Sequence, residues 1–176
     1  MSTLDGSVKP KLAECSCLAL RQAARHVTQL YDHCLAPTGL RTTQYSILVR
    51  LKLHGPMTIN TLAADLVMDR TTLGRNILPL ERDGLIAIVK GTSDRRQKEL
   101  HLTENGASRL RSARPRWTAA QARFEAAFGD TRTSALRTLL GAVVASELIP
   151  AEGVRPAHGV RQSAHPEPVE GADLDG

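Results

Sequence analysis

The sequence predicts a mainly α-helical fold with one small β-hairpin. Three observations predict it. From Cys17 to Cys34, apolar positions (Cys17, Leu20, Ala24, Val27, Tyr31, Cys34) recur at steps of three and four, the mark of a helix with one buried seam. Further apolar runs are bounded by Thr or Asp at the start and by Gly or Pro at the end, as capped helices are. Ile86 and Ile88, then Leu100 and Leu102, alternate on either side of a basic Gly-Thr-Ser-Asp-Arg-Arg stretch, as two short strands and an exposed tip would.

The elements follow in order. Pro37 and Gly39 stop the first helix. A second runs through "TTQYSILVRLKLHGP": Thr42 or Thr43 can cap it, Tyr45, Leu48, Val49 and Leu51 turn inward, and Gly55-Pro56 end it. Thr58 can cap a short third helix that buries Leu62, Ala63 and Leu66. Asp69 can cap a fourth, because its carboxylate accepts from the open amides of the first turn. There Leu73, Ile77 and Leu80 face inward, Gly84 is the stop, and Leu85-Ile86 begins a strand. Pro79 breaks the local rule by removing an amide that would bond to Arg75, so a bend or an irregular last turn is expected. After the hairpin, Thr103 can cap a long helix from about Ala107 to Phe128, and a last helix starting at Asp130 or Thr131 carries Leu136, Leu139, Leu140 and Val143 to a stop at Leu148-Ile149-Pro150.

Two short helices joined by a tight turn and followed by a hairpin describe a winged helix-turn-helix. The expected organisation is a flexible N-terminus over residues 1–10 and a folded domain over 11–148. Within it, helices at about 11–36 and 107–148 form a dimerisation region around a winged helix at about 42–103. Residues 149–176, rich in Pro, Gly and Ala, form a disordered tail.

Charge narrows the function. The chain carries +5, but residues 151–176 carry −3, and Arg70 to Arg116 alone hold eleven Lys/Arg against five Asp/Glu. So local a positive zone attracts polyanions, of which nucleic acid is the commonest. Aromatics are only 3%, which argues against base stacking as the binding mode. No apolar run approaches the ~20 residues that span a bilayer, and the first residues lack a signal pattern. The expectation is a cytoplasmic protein without a membrane partner. Three cysteines, an odd count, do not suggest a disulfide framework.

With Leu73, Ile77 and Leu80 inward, the fourth helix turns Thr71 and Arg75 outward, flanked by Arg70, Thr72 and Asn76. Arg reads guanine, Asn reads adenine and a Thr methyl meets a thymine methyl, so this face suits the major groove of double-stranded DNA. The hairpin supplies Lys90, Arg95, Arg96 and Lys98 for a minor groove, whose negative potential draws in arginine. Asp94 repels phosphate, and its expected task is to hold a neighbouring Arg in place.

"DRTTLGRNILPLERDGLI" followed by "SDRRQKELHLTENG" resembles the MarR family of bacterial regulators, on Asp94, Arg96, Leu102, Thr103 and Gly106. The resemblance covers about residues 12–148. It implies a triangular homodimer joined by its first and last helices, with two winged domains spaced for a pseudo-palindromic operator. Arg96 would enter the minor groove, Asp94 would buttress the wing, and repression would be the usual mode. Apart from the resemblance, the seam on the first helix and the Leu136–Val143 stripe on the last each need a partner, which a two-fold pair supplies.

Several readings of the effector stay open. One is a small aromatic or phenolic ligand, with Tyr45, His54 and Trp117 as pocket residues. Another is a peroxide. The first helix is similar to that of the organic-hydroperoxide regulators within the MarR family, with Cys17 at the reactive position, Tyr31 matching a tyrosine that hydrogen-bonds the thiolate, and Cys34 available as a resolving thiol. Thr42 and Arg21 stand where those regulators carry aromatic residues. Cys17 and Tyr31 lie about 21 Å apart along one helix, so they can meet only across antiparallel first helices of a dimer. The third reading is a regulator that needs no effector.

No cofactor and no metal is expected. His26 and His33 are about 10 Å apart along their helix, and neither Cys-x-x-Cys nor His-Glu-x-x-His occurs. An enzyme is not expected, because no P-loop, Gly-x-Gly-x-x-Gly or Gly-x-Ser-x-Gly is present. A winged-helix module that binds protein instead of DNA is the alternative from a different class.

Overall fold

The structure, a computed structural model, describes residues 15–91 and 97–148. The expected N-terminal arm, most of the wing tip and the tail lie outside the described residues. The elements run α1 (Ser16–Leu35), a 3₁₀ turn (Ala36–Thr38), α2 (Thr42–His54), β1 (Met57–Thr58), α3 (Ile59–Asp65), α4 (Arg70–Arg82), β2 (Ile86–Lys90), β3 (Lys98–Leu102), α5 (Glu104–Phe128) and α6 (Asp130–Ala145). The chain divides into two compact units, Met1–Thr133 and Ser134–Gly176.

In the first unit, most helix starts are fixed by a side chain. Thr58 accepts from the Thr61 amide, Asp69 from Thr72 and Thr103 from Gly106, as expected. The start of α2 differs. Neither Thr42 nor Thr43 caps it; the Asp32 carboxylate of α1 accepts from both the amide and the hydroxyl of Thr42, each at 2.7 Å. A side chain ten residues back thus ties α1 to α2, a link that local sequence spacing does not reveal. In α2 the unforeseen Ile47 is fully buried, whereas Val49 is only partly so. Helix α4 continues past Pro79 to Arg82, with the proline in its last turn. Helix α5 starts three residues earlier than expected, and α6 stops at Ala145.

The sheet has three antiparallel strands in the order β1-β3-β2. The hairpin register pairs Ile86 with Leu102, Ile88 with Leu100 and Lys90 with Lys98, and beyond it Gly91 N donates to Gln97 O. Strand β1 was not foreseen, because two residues are too short to show a period of two. It sets Met57 opposite Leu100 and closes the far edge of β3.

One core lies among α2, α3, α4, the sheet and the flanking parts of α1 and α5. Leu35, Ile47, Leu48, Leu62, Leu73 and Ala113 are its best-buried members. Among the described residues only the C-terminal part of the α1 seam is packed: Tyr31 is buried and Val27 and Cys34 are half-buried, while Cys17, Leu20 and Ala24 are exposed. In the second unit, Leu139, Leu140, Val143 and Val144 of α6 are exposed, Leu139 and Val144 by about two thirds (65% and 66%).

Candidate nucleic-acid interface

The interface is built on α4. Burial of Leu73, Ile77 and Leu80 against the core fixes the rotation of the helix about its axis. That rotation leaves Arg70, Thr71, Thr72 and Arg75 exposed and Asn76 half-buried. Neither Arg70 nor Arg75 forms an ion pair among the described residues. Asp69 holds the start of the helix, and hydrogen bonds from Thr72, side chain first and amide second, keep its carboxyl below its ordinary value of 3.8. Asn76 is turned back, its Nδ2 donating to Thr72 O at 2.8 Å, so reading a base would require it to leave that bond. Leu78, counted among no group from the sequence, shares the outward face: it stands three residues after Arg75, and is 62% exposed. The signal was present in the spacing, but an apolar residue in a periodic run reads first as core.

The hairpin adds two more cations. Lys90 and Lys98 are exposed and directly opposed in the register. Like charges facing each other across a strand pair repel and weaken the hairpin. Nearer its root, Glu99 faces Val89, and its carboxylate lies 3.3 Å from His101 Nε2. Asp94, Arg95 and Arg96 lie outside the described residues.

The hairpin root is bound firmly to the helical frame. Thr103 N donates to Leu85 O at 3.2 Å and Thr103 Oγ1 to Gly84 O at 2.7 Å. Gly106 sits against this junction so closely that a Cβ there would stand 2.0 Å from Leu85 O. The Thr103 and Gly106 of the expected motif thus have a physical role: they lock the turn after α4 to the start of α5.

The residues weighed as effector sites fall into different places. Tyr45 and Trp117 stack, with ring centroids 6.0 Å apart and planes 12° apart, and Tyr31 tilts onto Trp117 at 6.4 Å. The Tyr31 hydroxyl donates to Gln121 Oε1. Burial pushes the Tyr45 phenol above its ordinary range, against an opposing pull from Arg114. The structure therefore joins Tyr31 to Tyr45 and Trp117 in one aromatic cluster between α1, α2 and α5. His54 stands apart, exposed at the end of α2 and about 13 Å along that helix from Tyr45. Cys15, Cys17 and Cys34 are free thiols; Cys17 is exposed and the others half-buried. Among the described residues no cluster of metal-binding side chains occurs, and no helix is long and apolar enough to cross a membrane.

Comparison with known proteins agrees with this geometry. The family model described as "MarR family" matches residues 40–98, the stretch from the turn before α2 through the hairpin. The M. tuberculosis transcriptional regulator MosR, solved in complex with DNA, is 38% identical, with a TM-score of 0.66 over 77% of this chain and 100% of that one. The chain belongs to the MarR family. MarR proteins are transcriptional regulators, and the mainly helical winged-helix fold and the absence of an enzymatic role read from the sequence both hold. The repressor CouR, bound to a 23-mer DNA duplex, is 27% identical, with a TM-score of 0.68 over 76% of this chain and 95% of that one. The organic hydroperoxide resistance transcriptional regulator of Bacillus subtilis (strain 168) is 30% identical over 97 residues, which are 55% of this chain and 66%, just under two thirds, of that protein.

Proposed function

We propose that this MarR-family chain is a sequence-specific, double-stranded-DNA-binding repressor that works as a homodimer on a pseudo-palindromic operator. The observation that carries the reading is the outward face of α4, where Arg70, Thr71, Thr72 and Arg75 are exposed opposite the buried Leu73, Ile77 and Leu80, and neither arginine is ion-paired among the described residues. Such a helix reads base edges from the major groove. The opposed Lys90 and Lys98 support it: their repulsion weakens the free hairpin, and a polyanion relieves it. Arg95 and Arg96 continue that positive tip, with Arg96 entering the minor groove and Asp94 holding the wing arginines. MosR and CouR, both solved on DNA, support the same partner. The homodimer is supported by the apolar residues of α1 and α6 that are exposed among the described residues.

A small aromatic effector is the first reading of release. Its support is the Tyr31–Tyr45–Trp117 cluster and the crystal structure of CouR bound to p-coumaroyl-CoA. Thiol switching is the second. Exposed Cys17, with Cys34 and Tyr31 on the same helix, and the hydroperoxide-resistance regulator of B. subtilis support it.

The test is a titration against DNA flanking the protein's own gene at several salt concentrations, with reduced protein and again after organic hydroperoxide. The expected result is specific binding whose logarithm falls linearly with the logarithm of salt concentration. Arg75→Ala should change the preferred base and Arg96→Ala should weaken all sites. Variants that bind a mapped operator as the parent does would refute the assigned contacts. Binding lost on oxidation but kept in Cys17→Ser would select the thiol reading over the ligand.

A further inference from the structure

The exposed face of α4 carries an apolar patch that none of the contacts above uses. Leu78 is 62% exposed, three residues after Arg75 and four before Arg82, so the three share one face. Arg75, Leu78, Pro79, Glu81 and Arg82 line an open trough of about 580 Å³. Among the described residues Leu78 is left largely uncovered and Pro79 is half-buried. Leu73, Ile77 and Leu80 already fill the core side of the helix, and a proline in its last turn sacrifices an amide. One turn before Leu78, a Cβ added at Gly74 would meet nothing within 4 Å. The surface beside the leucine is thus kept low without any internal demand for glycine.

The charge around the patch says what covers it. Arg75 borders it without an ion pair among the described residues, while Arg82 is held by Asp83 at 3.1 Å and Glu81 also lines the trough, so the occupant is anionic at its Arg75 margin, yet its centre meets leucine and proline. In duplex DNA the phosphates supply the first property. The C5-methyl of thymine, displayed in the major groove, supplies the second. Leu78 lies about 4.5 Å along the helix axis from Arg75, close to the ~3.4 Å spacing of neighbouring base pairs.

We propose that Leu78, flanked by Pro79, receives a thymine methyl group in the major groove and so reads the base pair beside the one met by Arg75. The proposal rests on the DNA-binding reading above and adds a specificity-determining residue to it.

The experiment uses the full-length protein and a duplex selected from a random pool for tight binding. Each thymine is replaced in turn by deoxyuridine, which removes only the methyl group. Wild type should lose about fourfold in affinity at one thymine position, the amount expected for one buried methyl group. Leu78→Ala should bind the thymine and deoxyuridine duplexes equally while keeping the wild-type salt dependence and melting temperature. Wild-type affinity indifferent to every replacement, or full thymine preference retained in Leu78→Ala, would overturn the proposal and leave DNA binding standing. If no duplex is selected with salt-sensitive affinity, the DNA-binding reading fails and this proposal with it, and the patch belongs to a protein partner.

Discussion

Gly106→Ala tests the lock between wing and helices. The new Cβ would stand 2.0 Å from Leu85 O and 2.8 Å from Leu102 Cδ1, and contacts below 3.0 Å are not tolerated. The leucine side chain can turn aside, but the carbonyl oxygen belongs to the backbone and must move by about 1 Å. Moving it stretches the 3.2 Å bond from Thr103 N, worth about 1 kcal/mol, and drags Leu85, only 2% exposed, within its packed site. Overpacking of this kind adds about 1–3 kcal/mol, so a loss of about 3 kcal/mol is expected. For a chain of this size that is a fall in Tm of roughly 6–12 °C. Thermal denaturation followed by far-ultraviolet circular dichroism measures it. A variant melting within 2 °C of the parent would show that the junction yields freely and that Gly106 does not fix the hairpin root.

Other outcomes follow from the same geometry. Gly74→Ala, at an open helical position, should raise stability by about 0.5–1 kcal/mol in a denaturant titration. Lys98→Glu replaces a repelling pair with an attracting one, so the hairpin should gain about 0.2–1 kcal/mol while DNA affinity and its salt slope both fall; tighter binding would contradict the polyanion assignment. The folded-state pKa of Asp69 is depressed, so its contribution to stability is present above its ordinary 3.8 and is lost as pH falls through the lower folded value. Asp69→Asn should show a flatter acid unfolding profile in that window. Val144→Glu on the exposed face of α6 should shift sedimentation velocity from dimer to monomer; an unchanged dimer would remove α6 from the interface.

Much of the winged helix was legible because its signals are local. Thr58, Asp69 and Thr103 cap the helices that follow them, and each bond spans three residues, a distance that spacing alone reveals. The alternation of Ile86 and Ile88, then of Leu100 and Leu102, marked the two strands of the hairpin, and the structure pairs them. What escaped was non-local or ambiguous. The bond from Thr42 to Asp32 depends on how α1 folds back against α2. Strand β1 exists because β3 offers it an edge. The joining of Tyr31 to Tyr45 and Trp117 crosses three helices, and nothing in their spacing announces it. Leu78 was hidden by its chemistry: in an amphipathic run a leucine is assigned to the core unless the helix phase is followed residue by residue.

The caps and the lock together constrain how any effector acts. Asp69 fixes the start of α4, the Gly84–Leu85 turn leaves its end, and Thr103 and Gly106 bind that turn to α5. Helix α4 and the hairpin therefore share one frame, and bending one against the other would break several bonds at once. On the proposed reading, an effector at the aromatic cluster, or an oxidised thiol on α1, would have an easier course: it would move the frame as a body and change the spacing between two such frames in a dimer. That route predicts a specific signature. Release should raise the dissociation rate from the full operator while leaving the weak binding of a single half-site nearly unchanged. Equal loss on half-site and full operator would mean that the effector deforms the reading frame itself, and the rigidity argued from Thr103 and Gly106 would fail.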